Sequence, residues 1–169
     1  MPIAKRGTVL RKDYAANLQY QRAEEQWRLG RLKPAFRFFL AAAKAGTVSA
    51  FSIVGQFYDQ GDGVRVNRNA ALSWYRRAYR NGDHSVANNI GCILRDQKKI
   101  AQAFQWFRRA VRFGDGDANL NIANLYLHQK HDAAMAMQFL KRVCQARNAT
   151  EGSKQEARRA LIKLKNDLH

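Results

Sequence analysis

The chain repeats itself, and this limits its possible folds more than any other property. Ala35-x-x-Phe38-Phe39-x-x-Ala42-x-x-x-Gly46 recurs as Ala71-x-x-Trp74-Tyr75-x-x-Ala78-x-x-x-Gly82 and again as Ala103-x-x-Trp106-Phe107-x-x-Ala110-x-x-x-Gly114. A fourth copy, Ala136-x-x-Phe139-Leu140-x-x-Val143, lacks the glycine. The offsets are 36 residues from Phe38 to Trp74, 32 from Trp74 to Trp106 and 33 from Trp106 to Phe139. Periods of this length mark helical arrays whose units bury their apolar faces only against one another. Such arrays present surfaces and seldom perform chemistry, so binding is expected rather than catalysis.

Each unit also carries a first helix. Ala50-x-x-x-Val54-Gly55-x-Phe57-Tyr58 is echoed by Val86-x-x-x-Ile90-Gly91-x-Ile93-Leu94 and by Ala118-x-x-x-Ile122-Ala123-x-Leu125-Tyr126. Residues four and seven apart share a helix face, so these segments read as amphipathic helices. Gly55, Gly91 and Ala123 fall at one position, where a missing side chain lets the paired helix approach closely. Gly82 and Gly114 stand where a helix end requires a left-handed residue, and Asp83 and Asp115 follow as helix starters. The change of period has a local cause. Gly61-Asp-Gly63-Val64-Arg-Val-Asn67 separates the helices of one unit, and the tight Arg95-Asp-Gln-Lys-Lys99 separates those of the next.

These patterns divide the chain into a basic tail at residues 1–12, an array of about four helix pairs at 13–148 and a closing helix at 149–169. In the last, Ser153-x-x-Glu156 reads as a capping box. Asp13 to Leu29 should form the first helix of an incomplete initial unit, with Pro34 opening its partner. No apolar run is long enough to span a bilayer. The basic N-terminus is not followed by the apolar stretch of a secretory signal. Two cysteines, Cys92 and Cys144, do not make a disulfide framework. A cytoplasmic location is therefore expected.

Gly61-x-Gly63-Val64-x-x-Asn67-x-x-x-Ala71-x-x-Trp74-Tyr75-x-x-Ala78-x-x-x-Gly82 resembles a Sel-one-like repeat (SLR), a relative of the tetratricopeptide repeat. Its departure from the family pattern is Asn67, where Asp is usual. The following unit resembles a tetratricopeptide unit, and the resemblance spans roughly residues 33–146. It implies an all-α solenoid of antiparallel helix pairs in a right-handed superhelix, acting as an adaptor for protein complexes. It implies no cofactor and no reaction. Small bacterial SLR proteins also resemble immunity proteins paired with secreted toxins. On the same resemblance, the concave, first-helix face comprises Ser52, Gln56, Asp59, Asn88, Cys92, Arg95, Leu120, Asn121 and Asn124. A row of amides offers donors and acceptors to an extended peptide, or else is solvated or bonds across neighbouring helices.

Charge supplies the competing reading. Thirty Lys and Arg against 13 Asp and Glu give a net charge of +17, which favours acidic partners or nucleic acid. Arg76, Arg77, Arg80, Arg108, Arg109, Arg112, Lys141 and Arg142 recur after the aromatic pairs and would form a basic ladder on the second helices. Such a ladder can follow a phosphate backbone, or it can simply face water. The aromatic pairs, spaced with small alanines, read as core rather than as base-stacking platforms, with Trp74 and Trp106 buried. His128-x-x-His131 has the spacing of two metal ligands on one turn but no third ligand in reach, so no metal site is expected. Cys92 reads as a helix-packing residue.

Overall fold

A computed structural model describes residues 3–167, with side chains from Tyr14 onward except Lys130. The described residues contain nine α-helices and no strand: α1 (Ile3–Arg28), α2 (Leu32–Ala45), α3 (Ser49–Gln60), α4 (Arg68–Arg80), α5 (Ala87–Asp96), α6 (Ile100–Arg112), α7 (Ala118–Leu125), α8 (Ala133–Gln145) and α9 (Glu151–Asn166). They divide into two compact units, residues 1–83 and 84–169. In the first, α1 packs on α2, α2 on α3 and α3 on α4. In the second, each helix from α5 to α9 packs on the next. The fold is the expected all-α array of helix pairs.

α1 begins at Ile3, so residues 3–12 are helical and not a loose tail. Ala4, Lys5, Arg6, Leu10, Arg11 and Lys12 are strong helix formers, and no proline interrupts them. The expectation for Met1 and Pro2 lies outside the described residues. The other early correction is at the C-terminus. Thr150, rather than Ser153, caps α9, its hydroxyl accepting from the Ser153 N–H at 3.3 Å. Thr150 also donates through both its N–H, at 2.7 Å, and its hydroxyl, at 3.2 Å, to the Asp117 carboxylate. The start of α9 is thereby tied to the start of α7, and this tie selects the earlier cap.

The second helices end as the glycine pattern requires. Gly46, Gly82 and Gly114 have φ of 107°, 94° and 89°. In each case the glycine N–H bonds three residues back and the next N–H five residues back, as in Gly82 to Tyr79 and Asp83 to Ala78. This Schellman arrangement satisfies carbonyls that the helix end would leave orphaned. The period change is also located. Seven residues separate α3 from α4 and three separate α5 from α6, a difference of four, matching the 36-residue and 32-residue offsets. In the longer loop Asn67 caps α4 by accepting from the Ala70 N–H at 3.0 Å. An amide oxygen does here what the family's usual carboxylate does.

Within the aromatic pairs the structure corrects the assignment of core. The second residue of each pair is buried: Phe39, Tyr75, Phe107 and Leu140. The first, Phe38, Trp74, Trp106 or Phe139, is only half-buried. The two sit one position, about 100°, apart on the helix, so both cannot face the partner helix squarely. The buried residue lies over the small residue of its own pair's first helix. A methyl group on Gly55 would stand 2.6 Å from the Tyr75 ring, and one on Gly91 2.5 Å from the Phe107 ring. At the third pair Leu140 is smaller, and Ala123 is accommodated in one apolar cluster with it.

Aromatic residues also organise the first unit. Phe39 meets Tyr20 edge-on at 5.4 Å and Trp27 at 5.8 Å, while Phe57 lies 5.8 Å from both Phe36 and Phe39. Rings from α1, α2 and α3 thus share one core. Such contacts add about 0.5–1.5 kcal/mol per pair beyond area burial.

Candidate functional site

The expected first-helix face divides between the two units. Ser52, Gln56 and Asp59 lie on α3, all half-buried, with the Gln56 amide donating to Gln60 at 3.3 Å. In the second unit Asn88, Cys92 and Arg95 come from α5, and Asn121 and Asn124 from α7. All five are half-buried. Leu120 is a correction: it is 8% exposed and packs with Ala123, Leu140, Val143 and Ala157. Leu120 and Ala123 share one face of α7 and Asn121 and Asn124 the next. Burying leucine is favourable by about 2 kcal/mol, so the helix turns that side inward.

The amides of the second unit are connected head to tail. The Arg95 guanidinium donates to the Asn121 oxygen at 3.0 Å, and the Asn121 amide donates to the Asn88 oxygen at 3.0 Å. Asn88 in turn bonds the Asp115 carboxylate. Burial pushes the Asp115 carboxyl above its ordinary value of 3.8, and the nearby Asp117 charge adds to this. The Asn88 bond and backbone N–H groups of Ala118 and Asp117 oppose it. Asp115 accepts from the Ala118 N–H at 3.1 Å, the helix-starting role its position suggested. Asn88 and Asn121 therefore bond to each other across α5 and α7, one of the roles left open to them in the sequence.

The consequence is a positioned Arg95. Besides Asn121, it pairs with the Asp96 carboxylate at 3.1 Å, so two partners hold its guanidinium. It borders an open pocket of about 310 Å³, lined by Arg95, Asp96, Lys98, Asn124 and His128 among others. Lys98 and His128 belong to this pocket and were not among the residues expected from sequence. Lys98 reaches it because the tight turn after α5 puts it at φ 63°, the conformation Gly61 adopts after α3. Lys98 stands two residues past α5 whereas Gly61 stands one past α3, so no shared position in the repeat marks it in the sequence. His128 and His131 part company: His128 lines the pocket, whereas His131 takes φ 51° at the end of a π-helical turn, Tyr126–Lys130. Among the described residues no group of three or more metal-ligating side chains is assembled.

On the second helices the eight basic residues are all exposed, but they are not equivalent. Arg77 lies over the rings of Phe51, at 4.3 Å, and Trp74, at 5.4 Å. Arg109 lies 4.4 Å over Trp106 and Arg142 4.8 Å over Phe139. Each follows its aromatic residue by three, and so covers the half-buried first ring of the pair through a cation–π contact. The Arg80 side chain bonds the Arg76 carbonyl at 3.2 Å. Part of the basic ladder is thus a cover for the exposed side of the core. Arg76, Arg77 and Arg80 belong to the first unit and the other five to the second.

Comparison with known proteins agrees with this geometry. Residues 53–83 match the Sel1 repeat and residues 84–113 the tetratricopeptide repeat. No curated protein matches the sequence. The crystal structure of c5321, a protective antigen present in uropathogenic Escherichia coli strains and displaying an SLR fold, is similar with a TM-score of 0.63 and 22% identity. That match covers 84% of this chain and 33% of the other, so the chain spans about a third of that protein's length. A Sel1 repeat protein from Oxalobacter formigenes is similar with a TM-score of 0.61 and 20% identity, covering 88% of this chain and 71% of its own. No helix among the described residues is long and apolar enough to cross a membrane. Repeats of these types generally mediate protein–protein interactions and are typically non-catalytic. The chain therefore carries Sel1 and tetratricopeptide repeats, in helix pairs that have the SLR fold.

Proposed function

We propose that this protein is a non-enzymatic adaptor that binds an extended segment of a partner protein along the first-helix face of its second unit. The observation that carries the reading is Arg95, fixed by Asn121 and Asp96 at the edge of a pocket that also gathers Lys98, Asn124 and His128. An arginine held in place loses less freedom on binding than a solvated one. Its fork suits a carboxylate, and Asn124 offers both a donor and an acceptor to a peptide backbone. An acidic side chain on the partner also suits a chain of net charge +17.

The test uses a photo-crosslinking residue placed at Asn124, at His128 or at Arg76 in the full chain, in its native cell. Crosslinks to one partner from the first two positions and none from the third are expected. Changing Lys98→Glu and Asn124→Leu together should weaken capture of that partner about tenfold or more, the loss of one charged contact and one hydrogen bond. The far-ultraviolet helical signal should be unchanged. A partner that crosslinks from Arg76 alone, or capture indifferent to both substitutions, would show that this face is not the binding surface.

A further inference from the structure

The second unit holds another groove, built from α6, α8 and the end of α7, with a volume of about 420 Å³. Its floor includes Phe104, Tyr126 and Phe139, and its rim carries Arg108, Arg112 and Arg142. No acidic residue lines it. Tyr126 stacks on Phe139 at 5.6 Å with an interplanar angle of 16°, and Phe104 meets Tyr126 edge-on at 5.8 Å. Phe104, Arg108 and Arg112 stand at four-residue intervals on α6, so one face of that helix supplies both the apolar floor and two of the charges.

We propose that this groove docks an acidic peptide segment of a partner protein, with one aliphatic side chain of the peptide set among the three rings and flanking carboxylates on Arg108, Arg112 and Arg142. The charge on the rim selects carboxylates, and the fork of each guanidinium can take one in a bidentate contact. The rings select the apolar anchor, a pairing of buried centre and charged rim that recurs in protein interfaces. A single-stranded nucleic acid would instead need open ring faces for its bases. Here Phe139 is already packed against both Tyr126 and Arg142. The groove involves none of the residues assigned to the Arg95 pocket, so the two surfaces stand or fall separately.

Fluorescence anisotropy on the full chain provides the test, with three labelled probes: a short glutamate–aspartate peptide with one central leucine, the same peptide with serine in place of leucine, and an oligouridylate of matched charge. Changing Arg108→Gln and Arg112→Gln together should weaken the leucine peptide about tenfold, as expected for losing charge-assisted bonds. The pair Arg76→Gln and Arg77→Gln removes the same charge from the first unit and should change it less than about twofold, since only the diffuse field is altered. Arg108→Lys with Arg112→Lys, which keeps the charge and the fold but loses the forks, should give an intermediate loss. The serine peptide should bind about fivefold more weakly, reflecting the buried anchor. Equal losses from both glutamine pairs, indifference to the leucine, no measurable binding, or tighter binding of the oligouridylate through the same arginines would each overturn the proposal.

Discussion

At the scale of single residues, the molecule is governed by pairs in which one side chain is absent so that another can be large. Gly91 lies within van der Waals contact of the fully buried Phe107 ring, and an added methyl group would stand 2.5 Å from it. Alanine favours the helix by about 1 kcal/mol over glycine, but overpacking a filled site costs about 1–3 kcal/mol. Gly91→Ala should therefore destabilise the protein by about 1 kcal/mol. The third pair, Ala123 with Leu140, shows the alternative solution. Combining Gly91→Ala with Phe107→Leu should consequently cost less than the sum of the two changes, with a coupling of about 1–2 kcal/mol. Urea unfolding of the four members of the cycle measures it. Additive costs would mean that the ring shifts aside without resistance.

At the scale of elements, helix starts in the second unit are joined by polar side chains rather than by apolar packing alone. Asp115 begins α7, and Asp117, two residues on, holds Thr150 at the start of α9. Because burial raises the Asp115 pKa on folding, the folded protein binds this proton more tightly than the unfolded chain. Stability supplied by this group is then fully present below the unfolded value of 3.8 and declines as pH rises through the folded value. Asp115→Asn retains an oxygen for the Ala118 N–H but removes the titration. Its unfolding free energy should decline less than that of the parent as pH rises from 3.8, so the difference between the two should change across that window and be constant above it. Denaturant unfolding at a series of pH values checks this. A constant difference at every pH would rule out the proton linkage.

At the scale of the whole molecule, 30 basic residues against 13 acidic ones make self-repulsion a general tax on the folded state. Ion pairs such as Lys154–Glu151 and Arg158–Glu151 sit near the surface, where such pairs contribute little. Raising the ionic strength from about 0.02 M to about 0.2 M shortens the Debye length severalfold and screens the repulsion. Tm should rise by a few degrees, which corresponds to about 1 kcal/mol for a chain of this size. Thermal melts in sodium chloride give the answer. A fall in Tm would show that attractive pairs outweigh the net field.

The repeat alone determined the helix pairs, their glycine ends and the loop that changes the period. These depend on local steric rules: a left-handed residue closes a helix, and a 3.6-residue stripe needs a facing partner. The close approach at Gly55 and Gly91 was legible for the same reason. Which aromatic residue of each pair enters the core was not legible, because Trp74 and Tyr75 are both large and apolar and differ only by their angle around the helix. Packing decided for Tyr75 and left Trp74 to be covered by Arg77. Leu120 was likewise placed by the facing helices, and not by its position in the repeat. The same distinction applies to the sites. Sequence singled out Arg95 and the amides, but only the fold joined Arg95, Asn121, Asn88 and Asp115, because those bonds cross from α5 to α7 and to the turn before it, and no local pattern encodes a contact between residues so far apart in the chain.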